Sequence, residues 1–337
     1  MKKELNSKLN VLIIFIVTFI VLFFSLKDNF NEIINQIINI DKKFLILAFL
    51  LILVYYFLRS VILDDLIRKF KKKQMFWDSF SLTLKTQFFN GVTPFSLGGQ
   101  PFQVYVLKKE GIKLSNATNI IVQEFIVYQI ALVLLGIIAI ITNHYYPLFE
   151  DVKILKYLVL LGFIINILVT ILLFILAFTV KINRWVGNVV IKFLEKLKII
   201  KNYEKVVFKW NEYVENFHDG AIILLQNKKQ FIKSIFYSFM ALCALYLIPL
   251  VLLYGMGEFD IINSYEAIIT SAYVMLIGSF VPIPGGTGGL EYGFIAFYGN
   301  FIKGATLTSV MLIWRFITYY FGMIIGAIVL NFKKKVK

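Results

Sequence analysis

Two stretches of this chain combine residue types that could hold an anion inside an apolar protein. The more specific is Ser279 to Tyr292, SFVPIPGGTGGLEY, in which two prolines and four glycines precede one carboxylate, Glu291. The other is GVTPFSLGGQP, Gly91 to Pro101, followed closely by Gln103. Backbone rich in glycine and proline interrupts a helix, and the helix restarting beyond it exposes unpaired N–H groups and the positive end of its dipole. Such a terminus is suited to phosphate or carboxylate. Candidate binding residues are therefore Gly98, Gly99, Gln100 and Gln103 in one stretch, and Gly285, Gly286, Thr287, Gly288, Gly289 and Glu291 in the other. Pro101 suits a first helical position, and Gly288 or Gly289 the cap of the second half-helix. The glycines could equally serve only tight turns and close packing, and Glu291 could simply stabilise a helix start.

Two more ionisable residues fall within apolar runs. Arg315 lies about eleven residues into the last run, hence about 16 Å deep at 1.5 Å per residue. Burying it costs at least about 2.5–3.5 kcal/mol on insertion scales, so it needs an interior face and a partner. Glu124 lies about as deep in another run, and the two are predicted to pair or to flank the site together, a static ion pair being the alternative. Gly304, Thr308, Met311, Arg315, Thr318, Tyr319, Gly322 and Gly326 recur at helical spacing as a small and polar packing stripe. Lys85, Gln87 and Asn90 could line a vestibule. Arg59, Asp64 and Asp65 read as a span end, and His144 and His218 as surface residues. With no HExxH, no cysteine pair and no Ser/His/Asp arrangement, no catalytic residue, metal or cofactor is expected.

The elements that must position these residues are membrane helices. Hydrophobic residues make up 59% of the chain and charged residues 16%, against roughly 45–50% apolar in a globular average. The net charge of +15 sits beside apolar runs, as the positive-inside rule and contact with anionic inner-leaflet lipids require, so nucleic acid is not an expected partner. The lone Cys243, inside an apolar run, reads as a packing residue.

Full spans are expected over Leu9–Leu26, Phe44–Leu63, Ala117–Thr142, Ile154–Val180, Phe231–Met256 and Gly304–Phe332. The first resembles a signal peptide, but its apolar run is longer than the usual 7 to 15 residues and no cleavage site comes after it. Lys27–Lys43 reads as an external loop, and 181–230 as a basic amphipathic helix on the inner leaflet. The arms flanking each Gly/Pro stretch are too short to cross a core about 30 Å thick, which predicts two re-entrant hairpins. Lysine placement puts both termini in the cytoplasm.

A shift of 188 positions aligns the two halves: Pro94 falls on Pro282, Gly98 on Gly286, Gln103 on Glu291, and Trp77-Asp78 on Tyr265-Glu266. The halves, about 41–142 and 229–330, run in opposite senses through the membrane. The fold class expected is therefore an all-α polytopic membrane protein, with about six full spans and two opposed hairpins in an inverted repeat, as in many alternating-access transporters.

At TPFSLGGQPFQVYVLKKEGI, Thr93 to Ile112, and VPIPGGTGGLEYGF, Val281 to Phe294, the sequence resembles the transmembrane domain family of lysylphosphatidylglycerol synthases, also described as flippase-like. The pattern PxPGGxGxxE at Pro282 to Glu291 is the more specific half. The resemblance covers nearly the whole chain and implies a bacterial cytoplasmic membrane protein. It implies translocation of a phosphate-bearing lipid between leaflets, either aminoacylated phosphatidylglycerol or a polyprenyl phosphate. Many relatives carry an Arg near the positions of Gln103 and Val104, which this chain lacks. The chain ends at Lys337 just after its last span, so a C-terminal synthase domain is not expected and a separate synthase is a candidate partner; a homo-oligomer is left open. Two other functions stay open beside lipid translocation: a phosphatidylglycerol lysyltransferase and a small-solute secondary transporter.

Overall fold

A computed structural model describes residues 30–149, 153–197, 202–278 and 281–331, and among them every regular element is helical. The helices are α1 (Phe30–Asn39), α2 (Lys42–Ile67), α3 (Phe76–Gly91), α4 (Gly99–Lys109), α5 (Leu114–Tyr145), α6 (Lys153–Phe178), α7 (Val180–Lys196), α8 (Tyr203–Leu225), α9 (Lys228–Tyr246), α10 (Ile248–Gly255), α11 (Ser264–Gly278), α12 (Gly289–Tyr298), α13 (Gly304–Arg315) and α14 (Phe321–Asn331).

Among the described residues, five stretches are long and apolar enough to cross a membrane: Lys42–Ile67, Leu114–Tyr145, Leu155–Phe178, Lys228–Gly255 and Gly304–Asn331. They coincide with five of the six expected spans. The sixth, Leu9–Leu26, lies outside the described residues. Two of the five are interrupted. Pro249, in the first turn of α10, separates it from α9, and one π turn over Phe316–Tyr320 joins α13 to α14. A π turn adds a residue to the helical repeat and so re-aims the helix beyond it. Met311, Arg315, Tyr319, Gly322 and Gly326 are buried along this span, whereas Gly304, at the far end of the expected stripe, is exposed.

Each Gly/Pro stretch joins two short helices. The arms α3 and α4 contain 16 and 11 residues, and α11 and α12 contain 15 and 10. At 1.5 Å per residue these are about 15–24 Å long, short of a hydrocarbon core about 30 Å thick. The start of α11 is fixed by a reciprocal cap: Asn263 N–H donates to Glu266 Oε2 and Glu266 N–H to Asn263 Oδ1, both at 3.0 Å.

The two interrupting turns, Pro94–Ser96 and Pro284–Gly286, pack against each other. Tyr319 strengthens the junction by donating from its hydroxyl to Gly91 O at 2.8 Å. The turns have matching backbones: Phe95 lies at φ 54, ψ 12 and Gly285 at φ 66, ψ 10, with Ser96 and Gly286 also left-handed. This correspondence corrects the register inferred from sequence. The arms α3 and α11 still align at a shift of 188, but at the turns the shift is 190. PFSLGG, Pro94 to Gly99, matches PGGTGG, Pro284 to Gly289, and Glu291 corresponds to Pro101 rather than Gln103.

Other expectations are corrected locally. Lys27–Lys43 contains α1, which packs on α13 through Gln36 Nε2 donating to Thr306 Oγ1 at 3.2 Å. The basic segment 181–230 is a pair of helices, α7 and α8, packed together, and α8 leans on α5, where Asn119 Nδ2 donates to Phe217 O. His218, on that packed helix, is half-buried, whereas His144 is exposed as expected. Helix α4 begins at Gly99, two residues before Pro101.

Helix α3 is held between α2 and α14. The backbones of α3 and α14 come close at Gly326, where an added Cβ would lie 2.7 Å from Leu84 O and 2.8 Å from Phe88 N. Backbone cannot swing aside as a side chain can, so overpacking here is expected to cost about 1–3 kcal/mol. Gly326→Val should lower the melting temperature of the purified protein in detergent by several degrees; an unchanged melting curve would show that α3 and α14 are not in this contact.

Candidate functional site

The polar residues of the first half gather around one cavity of about 470 Å³, its open mouth included. Helix α2 contributes Tyr55 and Arg59; α3 contributes Thr83, Thr86, Gln87 and Asn90; α4 contributes Gln100 and Gln103; α5 contributes Ile121, Glu124 and Phe125. Residues three or four apart on a helix share a face, which explains why Tyr55 and Arg59 come together, as do Thr83, Thr86, Gln87 and Asn90.

Arg59 is the cation of this cavity. Its Nη2 donates to Glu124 Oε1 at 2.7 Å, and its guanidinium lies 4.7 Å from the centre of the Tyr128 ring. The Arg59 side chain keeps 17% of its surface accessible and Glu124 only 5%. A guanidinium carries five N–H donors, more than the bond to Glu124 uses. Gln100 Oε1 is also buried at the cavity and has no protein partner.

In the sequence Arg59 reads as a span end because Asp64 and Asp65 come soon after it. The helix instead continues to Ile67, and Asp64 is buried, accepting Ser79 Oγ at 2.8 Å and Arg68 Nε at 2.5 Å. Arg59 therefore lies eight residues inside the helix end, about 12 Å. The signal that could have found it is the aromatic and polar face Tyr55, Tyr56, Arg59 and Ser60, which a terminal anchor would not need. Gln87 and Asn90 line the cavity as expected of vestibule residues; Lys85 is not among its lining residues.

Glu124 and Arg315 do not pair with each other. Arg315 Nε donates to Glu291 Oε1 at 2.5 Å, and Nη2 donates to Gly285 O at 3.1 Å and Thr287 Oγ1 at 3.4 Å. Glu291 Oε2 accepts the Gly288 N–H at 2.7 Å. Glu291 thus caps its own half-helix and holds the arginine, and Arg315 in turn staples the second turn. Equal depth in the membrane is the only ground for pairing Glu124 with Arg315, and depth carries no information about which helices are neighbours.

The half-helix termini are likewise occupied by the protein itself. In the first turn the Gly98 N–H donates to Thr93 Oγ1 at 2.8 Å and the Gly99 N–H to Asn90 Oδ1 at 3.0 Å. In the second, the Gly286 N–H donates to Ile283 O, and the N–H of Gly288, a residue at φ 89, to Glu291. Of the residues singled out from sequence, Gln100, Gln103 and Glu124 line the cavity and Gly98 and Gly99 adjoin it. Gly285, Gly286, Thr287, Gly288, Gly289, Glu291 and Arg315 build the second turn against which the first turn rests.

Removing one member of a buried ion pair strands the other, at a cost of about 3–5 kcal/mol, while replacing both is far less costly. Arg315→Gln and Glu291→Gln should each lower the melting temperature, and the double variant should melt above either single one. Additive losses in the double variant would rule out the staple.

Comparison with known proteins agrees with this architecture. A family model described as the lysylphosphatidylglycerol synthase TM region matches residues 10–326. A protein described as a UPF0104 membrane protein, from Archaeoglobus fulgidus, is 25% identical over 303 residues, covering 86% of this chain and 86% of the relative. With five apolar spans among the described residues, two interrupted hairpins and a family match running almost end to end, the chain belongs to the lysylphosphatidylglycerol synthase TM-region family of membrane proteins.

Proposed function

We propose that the protein translocates a phosphate-bearing lipid between the leaflets of a bacterial cytoplasmic membrane. One observation carries this reading: an arginine, accessible to a polar cavity, within a long apolar helix. An arginine at such depth is expensive and reads by default as functional. Its planar fork of donors matches the oxygens of a phosphate better than a lysine would.

Glu124 sets the electrostatics of capture. With the two side chains paired, the cavity is close to neutral. A phosphate approaching Arg59 competes with Glu124 for the same donors, and the carboxylate is then released to accept an ammonium or a proton. The pair is thus complementary to a headgroup carrying both signs, such as an aminoacylated phosphatidylglycerol, and a polyprenyl phosphate would use Arg59 alone. Gln100 Oε1 offers an acceptor to a hydroxyl or ammonium of the guest.

The two hairpins would enter from opposite leaflets, with both termini cytoplasmic and the basic pair α7 and α8 resting on anionic lipid. Translocation then requires the packed turns to part, moving the cavity's access from one leaflet to the other. Related halves with unequal polar content suit that role, since one half binds and the other braces.

In proteoliposomes, Arg59→Gln and Glu124→Gln should each slow translocation of lysylphosphatidylglycerol at least about tenfold, a loss of about 1.4 kcal/mol in the barrier. With polyprenyl phosphate the Arg59 variant should fail and the Glu124 variant should retain more activity. Wild-type rates for every lipid in both variants would overturn the proposal.

A further inference from the structure

We infer that Phe95 and Leu97 hold the hydrocarbon end of the guest whose polar end occupies the Arg59 cavity, an inference that rests on the lipid-translocation reading. The turn carrying them connects Asn90 to Gln100, and both of those residues line the cavity. On this turn, between two residues of the cavity wall, Phe95 and Leu97 are 49% and 52% exposed.

The backbone of the turn makes Phe95 unusual. Its φ of 54 belongs to the left-handed region, where a bulky side chain is a steric outlier and glycine is not. The matching position of the second turn is Gly285, at φ 66, and there the Tyr319 ring occupies the space a side chain would need. The fold can therefore make this turn without strain and does so where packing demands it. The first turn keeps an aromatic ring in the same conformation, yet about half of that residue's surface remains outside the protein. Packing within the protein does not account for it, and on this inference the guest's hydrocarbon does. An apolar pair on the turn that joins two walls of a polar, charge-bearing cavity has the amphipathic order of a phospholipid, headgroup first and chain after.

The test uses the full chain in detergent, with two probes sharing one headgroup: dihexanoyl phosphatidylglycerol and chain-free glycerophosphoglycerol. Wild type should prefer the acyl-bearing probe by about tenfold or more, the scale expected when a few methylenes leave water. Phe95→Asn, a residue that tolerates left-handed backbone, should cut that preference to below about threefold while leaving glycerophosphoglycerol affinity unchanged. Phe95→Leu should keep the preference. Leu97→Asn, on ordinary right-handed backbone at φ −91, should lower it without straining the turn. If wild type shows the preference and neither Asn variant reduces it, this inference is wrong and the lipid reading stands. If wild type binds both probes equally, the lipid reading and this inference fall together.

Discussion

Burying a guanidinium in an apolar bundle is the constraint around which this protein is built. Arg59 meets it with three devices: a carboxylate at 2.7 Å, an aromatic face at 4.7 Å and a cavity lined by amides and hydroxyls. Two of the devices share one helix and the third comes from two others. Glu124 and Tyr128 stand on α5, and the amides and hydroxyls on α3 and α4. The short helices α3 and α4 are what make the third device available, because a continuous span would have filled the space with apolar side chains. Interrupted backbone is tolerated at depth only when packed in protein or lining a polar cavity, and the first hairpin does both.

The second arginine answers the same constraint differently. Arg315 directs its bonds to Glu291, Gly285 and Thr287, so its charge holds a turn together. The two halves therefore share a backbone plan and divide the labour. The first turn carries side chains where the second carries glycine, and the cavity beside it is lined by the partly accessible Arg59. The second turn is closed by its own carboxylate and pressed against the first, with Tyr319 reaching across to Gly91. A strained left-handed residue costs on the order of 1–2 kcal/mol. Phe95 holds that conformation where the second turn uses Gly285, so the first turn carries a strain that the second avoids.

Much of this plan was legible in the chain's letters. Long apolar runs fix spans because a bilayer core admits few alternatives, and Gly/Pro clusters between short runs fix the hairpins for the same reason. Rotational phase and neighbourhood were not legible. Arg59 was hidden by Asp64, which looks like a helix terminus to any hydropathy window but is buried between Ser79 and Arg68. Glu124 and Arg315 matched in depth, yet α5 packs on α2, α4, α6, α8, α9 and α11, whereas the last span packs on α1, α2, α3, α10 and α12, so α2 is the one neighbour they share. The register of the halves slipped by two because Pro94 has two proline counterparts, Pro282 and Pro284, and only backbone angles tell which one opens the turn. Capping of the half-helix termini by Thr93, Asn90 and Glu291 was likewise invisible without coordinates, and it leaves Arg59 rather than those N–H groups as the cation at the cavity.

The central claim is that Arg59 receives the phosphate of a lipid. Native mass spectrometry of the detergent-purified protein reports this directly, by identifying what remains bound to wild type and to Arg59→Lys, which keeps the charge but not the bidentate fork. The account predicts a phosphate-bearing lipid retained by wild type and largely lost from the variant. Equal retention by both proteins, or retained lipids that carry no phosphate, would contradict it.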